Sequence, residues 1–183
     1  MPYSFLTNHH PYNPAELLEE LQVSPGHSVL DLGCGHQGYW TFPLAQRVGK
    51  SGQVHCVDID PRAIDNISRK SAELKLSQIN ACRLDLENLS NCNLSAVDIA
   101  LLVNVLYQIK YRNKLISMLA SLIKPGGKLL LVDWKRNASS YGPPQELRVA
   151  ADYLKRWLTR AKFEVIREMP LGDDHFANIL MKR

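Results

Sequence analysis

No apolar stretch of this chain is long enough to cross a bilayer: the longest, Ala96 to Tyr107, is interrupted by Asp98 and Asn104, whereas a membrane helix needs about 20 apolar residues. The first residues also lack the basic start and apolar run of a secretory leader, so a soluble, cytoplasmic protein is expected. Cysteine is scarce, and Cys34, Cys56, Cys82 and Cys92 show neither Cys-x-x-Cys nor zinc-ligand spacing. Three of them lie in or beside predicted strands, where a free thiol packs as a small hydrophobe, and no metal ligands are assigned. An excess of one charge is missing too: 22 basic against 18 acidic residues leave +4, scattered without a block. Lys110, Arg112 and Lys114, then Lys135 and Arg136, then Lys155, Arg156, Arg160 and Lys162 fall on separate segments. They make no continuous stripe for phosphates, so nucleic acid is not expected as a partner. There is no Ser-His-Asp set, and His36 and His175 stand apart from other catalytic residue types.

What is present is a chain of 183 residues with 45% hydrophobic content, enough for one domain with a core of its own. The expected organisation is a single domain over 1–183 with an irregular arm at 1–12. Asn13-Pro14-Ala15-Glu16 reads as an N-cap, a proline at the first helical position and a glutamate at N3. Strands are predicted over 29–32, 53–58, 79–84, 97–103, 128–133, 163–169 and 176–181. Helices are predicted from 39 to 48, from 61 to about 75, over 111–123 and over 145–161. Alternating strands and helices imply a mostly parallel sheet with right-handed crossovers, and the last two strands, separated by Pro170-Leu-Gly-Asp-Asp, read as an antiparallel pair.

The informative stretch is His27 to Gly38, where the apolar run Val29 to Leu32 breaks into glycines at 33, 35 and 38 before a helix. Glycines there allow positive φ and close approach of a ligand to the backbone. The spacing Gly33-x-Gly35-x-x-Gly38 also satisfies the dinucleotide fingerprint, so the glycines alone leave the ligand open. Asp31 argues for a cation. At the end of the first strand its carboxylate would oppose a pyrophosphate on the helix N-terminus, whereas an ammonium or sulfonium would be attracted. Asp58 follows the second strand, near the roughly 20-residue interval at which an acid reaches ribose hydroxyls; Asp60 is assigned to capping the next helix. Ile59 offers an apolar side chain for the face of a base, and Trp40 is divided between an acceptor pocket and helix–sheet packing. Asp133, ending the fifth strand, is the candidate for a polar group facing an acceptor.

Val-Leu-Asp-Leu-Gly-Cys-Gly (29–35), Val-Asp-Ile-Asp (57–60), Asp-Leu-Glu-Asn-Leu (85–89) and Lys-Pro-Gly-Gly-Lys-Leu-Leu-Leu-Val-Asp-Trp (124–134) resemble, in order and spacing, the class I S-adenosylmethionine-dependent methyltransferases. The likeness is to small single-domain bacterial-type members and covers nearly the whole chain. It implies an α/β doubly wound, Rossmann-like methyltransferase sheet of about seven strands, mostly parallel with the last antiparallel. It implies S-adenosyl-L-methionine as cofactor, held by Asp31, Gly33, Gly35, Gly38, Asp58, Ile59, Asp85, Leu86 and Asn104. In that pattern Asp85 faces the adenine amino group, Leu86 supplies an amide, Asn104 meets the methionine part, and Tyr107 is an acceptor-side aromatic. Tyr107 and Asp133 are the catalytic candidates. Gln37 departs from the pattern, which has glycine or another small residue there. Asn104-Val-Leu-Tyr107 also departs from the Asn-Pro-Pro-Tyr signature of enzymes that methylate planar amino groups. The reading is methyl transfer to a small or medium acceptor. A non-catalytic S-adenosylmethionine-binding module, an RNA methyltransferase and an NAD-dependent oxidoreductase remain as alternatives.

Overall fold

The computed structural model of the chain describes residues 13–88, 95–138 and 141–183; the expected arm at 1–12, Leu89 of the third motif and Cys92 lie outside them. Helix α1 (Pro14–Glu20) starts as its sequence requires, with the Asn13 side chain accepting from the Ala15 amide at 3.0 Å and Leu17 and Leu18 turned inward. Strand β1 (Ser28–Leu32), helix α2 (Thr41–Val48), β2 (Gln53–Asp58), helix α3 (Pro61–Glu73) and β3 (Ile79–Arg83) form the first half. Strand β4 (Val97–Val103), helix α4 (Arg112–Leu122), β5 (Ile123–Trp134), helix α5 (Ala151–Arg160) and the hairpin β6 (Phe163–Leu171) and β7 (His175–Lys182) form the second.

The seven strands make one sheet in the order β3-β2-β1-β4-β5-β7-β6. The first five are parallel, β7 runs antiparallel to β5, and β6 is antiparallel to β7. The order reverses between β1 and β4, which pair directly, Leu32 opposite Leu102. Such a reversal opens a crevice at the carboxyl ends of the strands.

Alternation along the central strands sorts side chains into two layers. Val29, Ile99, Leu101, Leu130 and Val132 pack with Leu18, Leu44 and Val48 of α1 and α2. Leu30, Leu32, Ala100, Leu102, Leu129 and Leu131 pack with Leu115, Ile116 and Leu119 of α4 and Leu154 and Leu158 of α5. Both faces being covered, β4 carries the near-continuous apolar sequence typical of a buried parallel strand.

Two boundaries differ from the sequence reading by more than a turn's length, the others by one or two residues. Strand β5 begins at Ile123, which pairs with Val97 before an irregularity restores the ladder at Lys128 opposite Ile99; Pro125 and Gly126 thus bend a strand entrance as well as ending α4. The helix expected from 145 starts only at Ala151, after a 3-10 turn at Gln145–Leu147. Arg148 is the cause. Its buried guanidinium donates to the carbonyls of Pro143, Ala138 and Tyr141 at 2.9–3.0 Å, and its backbone is extended, with ψ 141°. In the closing hairpin, β6 carries a bulge: Val165 opposes Leu180 and Arg167 opposes Ile179, leaving Ile166 between them.

Gly33 is needed by the packing of the reversal itself. Its φ is +74°, and a Cβ there would lie 2.4 Å from Val105 Cγ2. Gly33→Ala is expected to cost about 2–4 kcal/mol, combining left-handed strain with overpacking. Urea denaturation should show that Val105→Ala in the same chain recovers the overpacking part, a coupling absent if the two loops do not touch.

Candidate functional site

The carboxyl ends of β1, β2 and β4 converge on the glycine turn. The amides of Gly33 and Cys34 donate to the Val57 carbonyl at 2.8 and 3.1 Å, tying the turn to β2. Asp58 then fixes its apex: one carboxylate oxygen accepts from the Gly35 amide at 2.9 Å and the other from the Asp60 amide at 3.0 Å. Gly33, Gly35 and Gly38 all have positive φ, but they are glycines for different reasons. A Cβ at Gly38 would meet the Phe42 ring at 2.7 Å, whereas one at Gly35 would project into open space. Gly35 is therefore the position where a ligand has room to approach the backbone beside Asp58.

Asp31 ends β1 on the α2 side, almost fully buried, and accepts a 2.6 Å hydrogen bond from the Thr41 hydroxyl at the first residue of α2. Burial raises its pKa to about 6 against the opposing effect of Thr41, and the Asp58 charge adds to the rise. At neutral pH this carboxylate is ionised, and among the described residues no cation is paired with it. A positively charged ligand at the turn would supply one. Asp60 caps α3, accepting from the Arg62 amide at 2.9 Å and pairing with the Arg62 guanidinium and the His36 ring.

Next to Asp58, Ile59 is 59% exposed, a large apolar side chain on an otherwise polar rim. Asp85 is exposed, and its Oδ1 accepts from the Glu87 amide at 2.9 Å, forming a local turn; Leu86 is buried. Across the crevice, Asn104 takes the left-handed conformation at φ +55° while its amide donates to the Val132 carbonyl at 2.8 Å. A non-glycine residue held there is uncommon and tends to mark functional loops. Acid, apolar side chain and open glycine backbone thus follow β1 and β2, and the left-handed asparagine follows β4. Gln37 is exposed and lines a groove with Asn66, Arg69 and Lys70 between α2 and α3.

The two catalytic candidates lie at the ends of β4 and β5. Asp133 is fully buried on the α4 side, and its carboxylate accepts from the Trp134 amide at 2.7 Å and the Tyr107 amide at 3.2 Å. Burial pushes its pKa to about 7 although these amides and the Arg112 charge oppose the shift. Tyr107 is half-buried, its phenol raised by burial and by the Asp133 charge. The structure therefore brings Asp133 to the backbone of Tyr107, as a group that holds a loop. Trp40 is buried in the α1–α2 layer with Leu44 and Val132. His175 packs against Trp134, ring centroids 4.0 Å apart.

Three residues of this region carried no sequence signal. Thr41 holds Asp31 from a helix start. Arg112 reads as a surface cation, yet it donates to the carbonyls of Leu106, Tyr107 and Leu147 at 2.7–3.0 Å. Arg148 likewise faces inward to three carbonyls. All three bond partners remote enough in sequence that no local pattern encodes the contact.

The methyltransferase-domain family model matches residues 23–172. Ribosomal protein L11 methyltransferase of Paraburkholderia xenovorans is 33% identical over 134 residues, which make up 70% of this chain and 39% of that protein. Aklanonic acid methyltransferase of Streptomyces sp. strain C5 is 40% identical over 62 residues, 34% of this chain and 28% of that protein. The chain thus spans well under half the length of these relatives. The structure of a SAM-dependent methyltransferase from Aquifex aeolicus superposes with a TM-score of 0.82 at 24% identity, covering 94% of this chain and 90% of that one.

The state of Asp31 sets a pH signature. Its folded pKa lies above its unfolded value of 3.8, so the stability it contributes is complete below about pH 4 and is lost as pH rises through 6. Asp31→Asn removes that loss. In thermal unfolding of the ligand-free protein the variant should be more stable than the wild type at pH 8, by up to about 3 kcal/mol for a shift of roughly two pKa units. The difference should close near pH 4. Equal pH profiles for the two proteins would mean that Asp31 is not ionised in a buried site.

Proposed function

The chain belongs to the methyltransferase-domain family, and on that premise we propose that it binds S-adenosyl-L-methionine and transfers its methyl group to a small-molecule acceptor. The observation that carries the reading is the arrangement at the glycine turn: open backbone at Gly35, the Asp58 carboxylate fixed beside it, and the buried Asp31 carboxylate behind. These residues fit the cofactor chemically. Asp58 has lone pairs left after its two amide contacts and would accept from the ribose hydroxyls. Ile59 would cover one face of the adenine, with Asp85 and the Leu86 amide at its edge. Asp31 would answer the positive charge of the methionine half, and Asn104 would bound that half from the β4 side. Gly33 and Gly38 serve by giving the turn its path.

The cofactor supplies a methyl group already activated by its sulfonium. The chain's own residues then need to hold the acceptor in line and exclude water, an arrangement worth up to about 7–11 kcal/mol of a barrier. In this reading Tyr107 borders the acceptor, and Asp133 keeps the Tyr107 backbone in place from below. A base is dispensable for a thiol or other pre-ionised nucleophile and required for a hydroxyl.

A small acceptor is favoured over RNA because the basic residues form no continuous stripe along the chain and several of them are committed within the fold. Arg112 and Arg148 face backbone carbonyls, while Lys124, Arg167 and Arg183 pair with Asp98, Glu20 and Glu164. Residues 1–183 are taken to act as one domain, in the cytoplasm.

Calorimetric titration should show S-adenosylhomocysteine binding, with NAD much weaker, and tighter NAD binding would overturn the cofactor assignment. Asp58→Ala should weaken the interaction by about 1.5–3 kcal/mol, the range for hydrogen bonds to a charged group, with circular dichroism unchanged. Incubation with methyl-labelled cofactor and fractionated cell extract should place the label in the small-molecule fraction. Label in RNA or protein would reassign the acceptor; binding without label transfer would point to the non-catalytic module.

A further inference from the structure

The loop after β4 is gripped by opposite charges on its two polar sides. The 3-10 turn Leu106–Gln108 directs the Tyr107 amide, with that of Leu106, to the Asp133 carboxylate. Its carbonyls face the other way: Arg112 Nε donates to Leu106 at 3.0 Å and Nη2 to Tyr107 at 3.0 Å. The same Nη2 donates to the Leu147 carbonyl at 2.7 Å. One guanidinium nitrogen thus joins the β4 loop to the segment between β5 and α5. At the near end of the turn, the Asn104 carbonyl accepts from Gln108 Nε2 at 3.1 Å, so the Asn104 backbone belongs to the gripped unit. At the far end, Arg148 gathers the carbonyls of Ala138, Tyr141 and Pro143. Gly142 lies against the Trp134 ring, where a Cβ would meet Cζ3 at 2.5 Å. The segment 141–148 is thereby set as a wall at the end of β5.

We propose that Arg112 is a positioning residue that couples the two halves of the site, so that cofactor contact at Asn104 further steadies the 141–148 wall. The inference rests on the cofactor reading above. A planar guanidinium suits the task because its five donors are held in a fixed fork. Three carbonyls satisfied by one rigid group cannot shift independently, and a change at Asn104 reaches Leu147 through three hydrogen bonds, from Gln108 to Asn104 and from Arg112 to Tyr107 and Leu147. Lysine would keep a positive charge facing Asp133 but could not span three acceptors in that geometry.

Hydrogen–deuterium exchange with and without S-adenosylhomocysteine tests the coupling. In the wild type, ligand should slow exchange both at 104–108 and at 141–150, the latter by at least about fivefold, the lower end of typical site coupling. In Arg112→Ala the protection at 104–108 should remain while that at 141–150 falls to less than twofold. Arg112→Lys should behave like the alanine variant at 141–150, and it covers the case in which the alanine variant fails to fold. Ligand binding to the wild type without protection at 141–150, or equal protection there in Arg112→Lys, would overturn the coupling and leave the cofactor assignment standing. Failure of the wild type to bind S-adenosylhomocysteine at all would overturn both.

Discussion

The pleat of β1, β4 and β5 is the constraint on which the rest of the molecule depends. Because side chains alternate with a period of two, the residue that ends each strand has its face decided several residues earlier by the apolar pattern. In β1, Val29 belongs to the α1–α2 layer and Leu30 to the other, which sends Asp31 toward Thr41. In β5, Leu131 faces α4 and α5, so Asp133 faces α4 and meets the charge of Arg112. A slip of one residue in either strand would exchange these surroundings and place each carboxylate in an apolar layer. The core thus sets the chemistry of the rim without touching it.

Both carboxylates are buried, yet they differ in what opposes the cost. Asp133 is met by backbone amides and feels the charge of Arg112 across the turn, all from this chain. Asp31 has one hydroxyl and a neighbouring carboxylate. A buried charge without a counter-ion is expensive, and among the described residues Asp31 has none, at the place where a cation is proposed to bind. Stability given up in the empty protein is then regained on binding, which is one form of selectivity for a charged ligand over a neutral one of the same shape.

Much of this was legible beforehand. The alternation of strands and helices, the antiparallel close, the caps of Asn13 and Asp60 and the glycine turn all follow from local chemistry: periodicity, proline position, short polar side chains. The helix expected from 145 failed because its periodicity, Leu147 to Ala151, is real, but a buried arginine at 148 draws three loop carbonyls to itself and holds the backbone extended. Gly33 has a packing reason that the sequence did not show, since a Cβ there would strike Val105. Trp40 was divided between two roles and packs in the core. Arg112 was grouped with surface cations, since nothing near it in sequence announces Leu106, Tyr107 and Leu147 as acceptors. What escaped was contact between distant loops, which a single sequence does not encode locally.

The bulge at Ile166 has a bearing beyond the fold. Strand β6 is an outer strand of the sheet, and Val165 and Ile166 are 40% and 44% exposed on it. A long, flat, apolar margin of that kind is where a second polypeptide would add itself by backbone pairing. The extra residue breaks the regular spacing of amides and carbonyls midway and bends the strand. An extended chain aligned with Phe163–Val165 is out of phase by Arg167, and Arg167 itself reaches back to Glu20. The protein can therefore carry two aliphatic side chains on its outermost strand without offering a template for fibrous self-association.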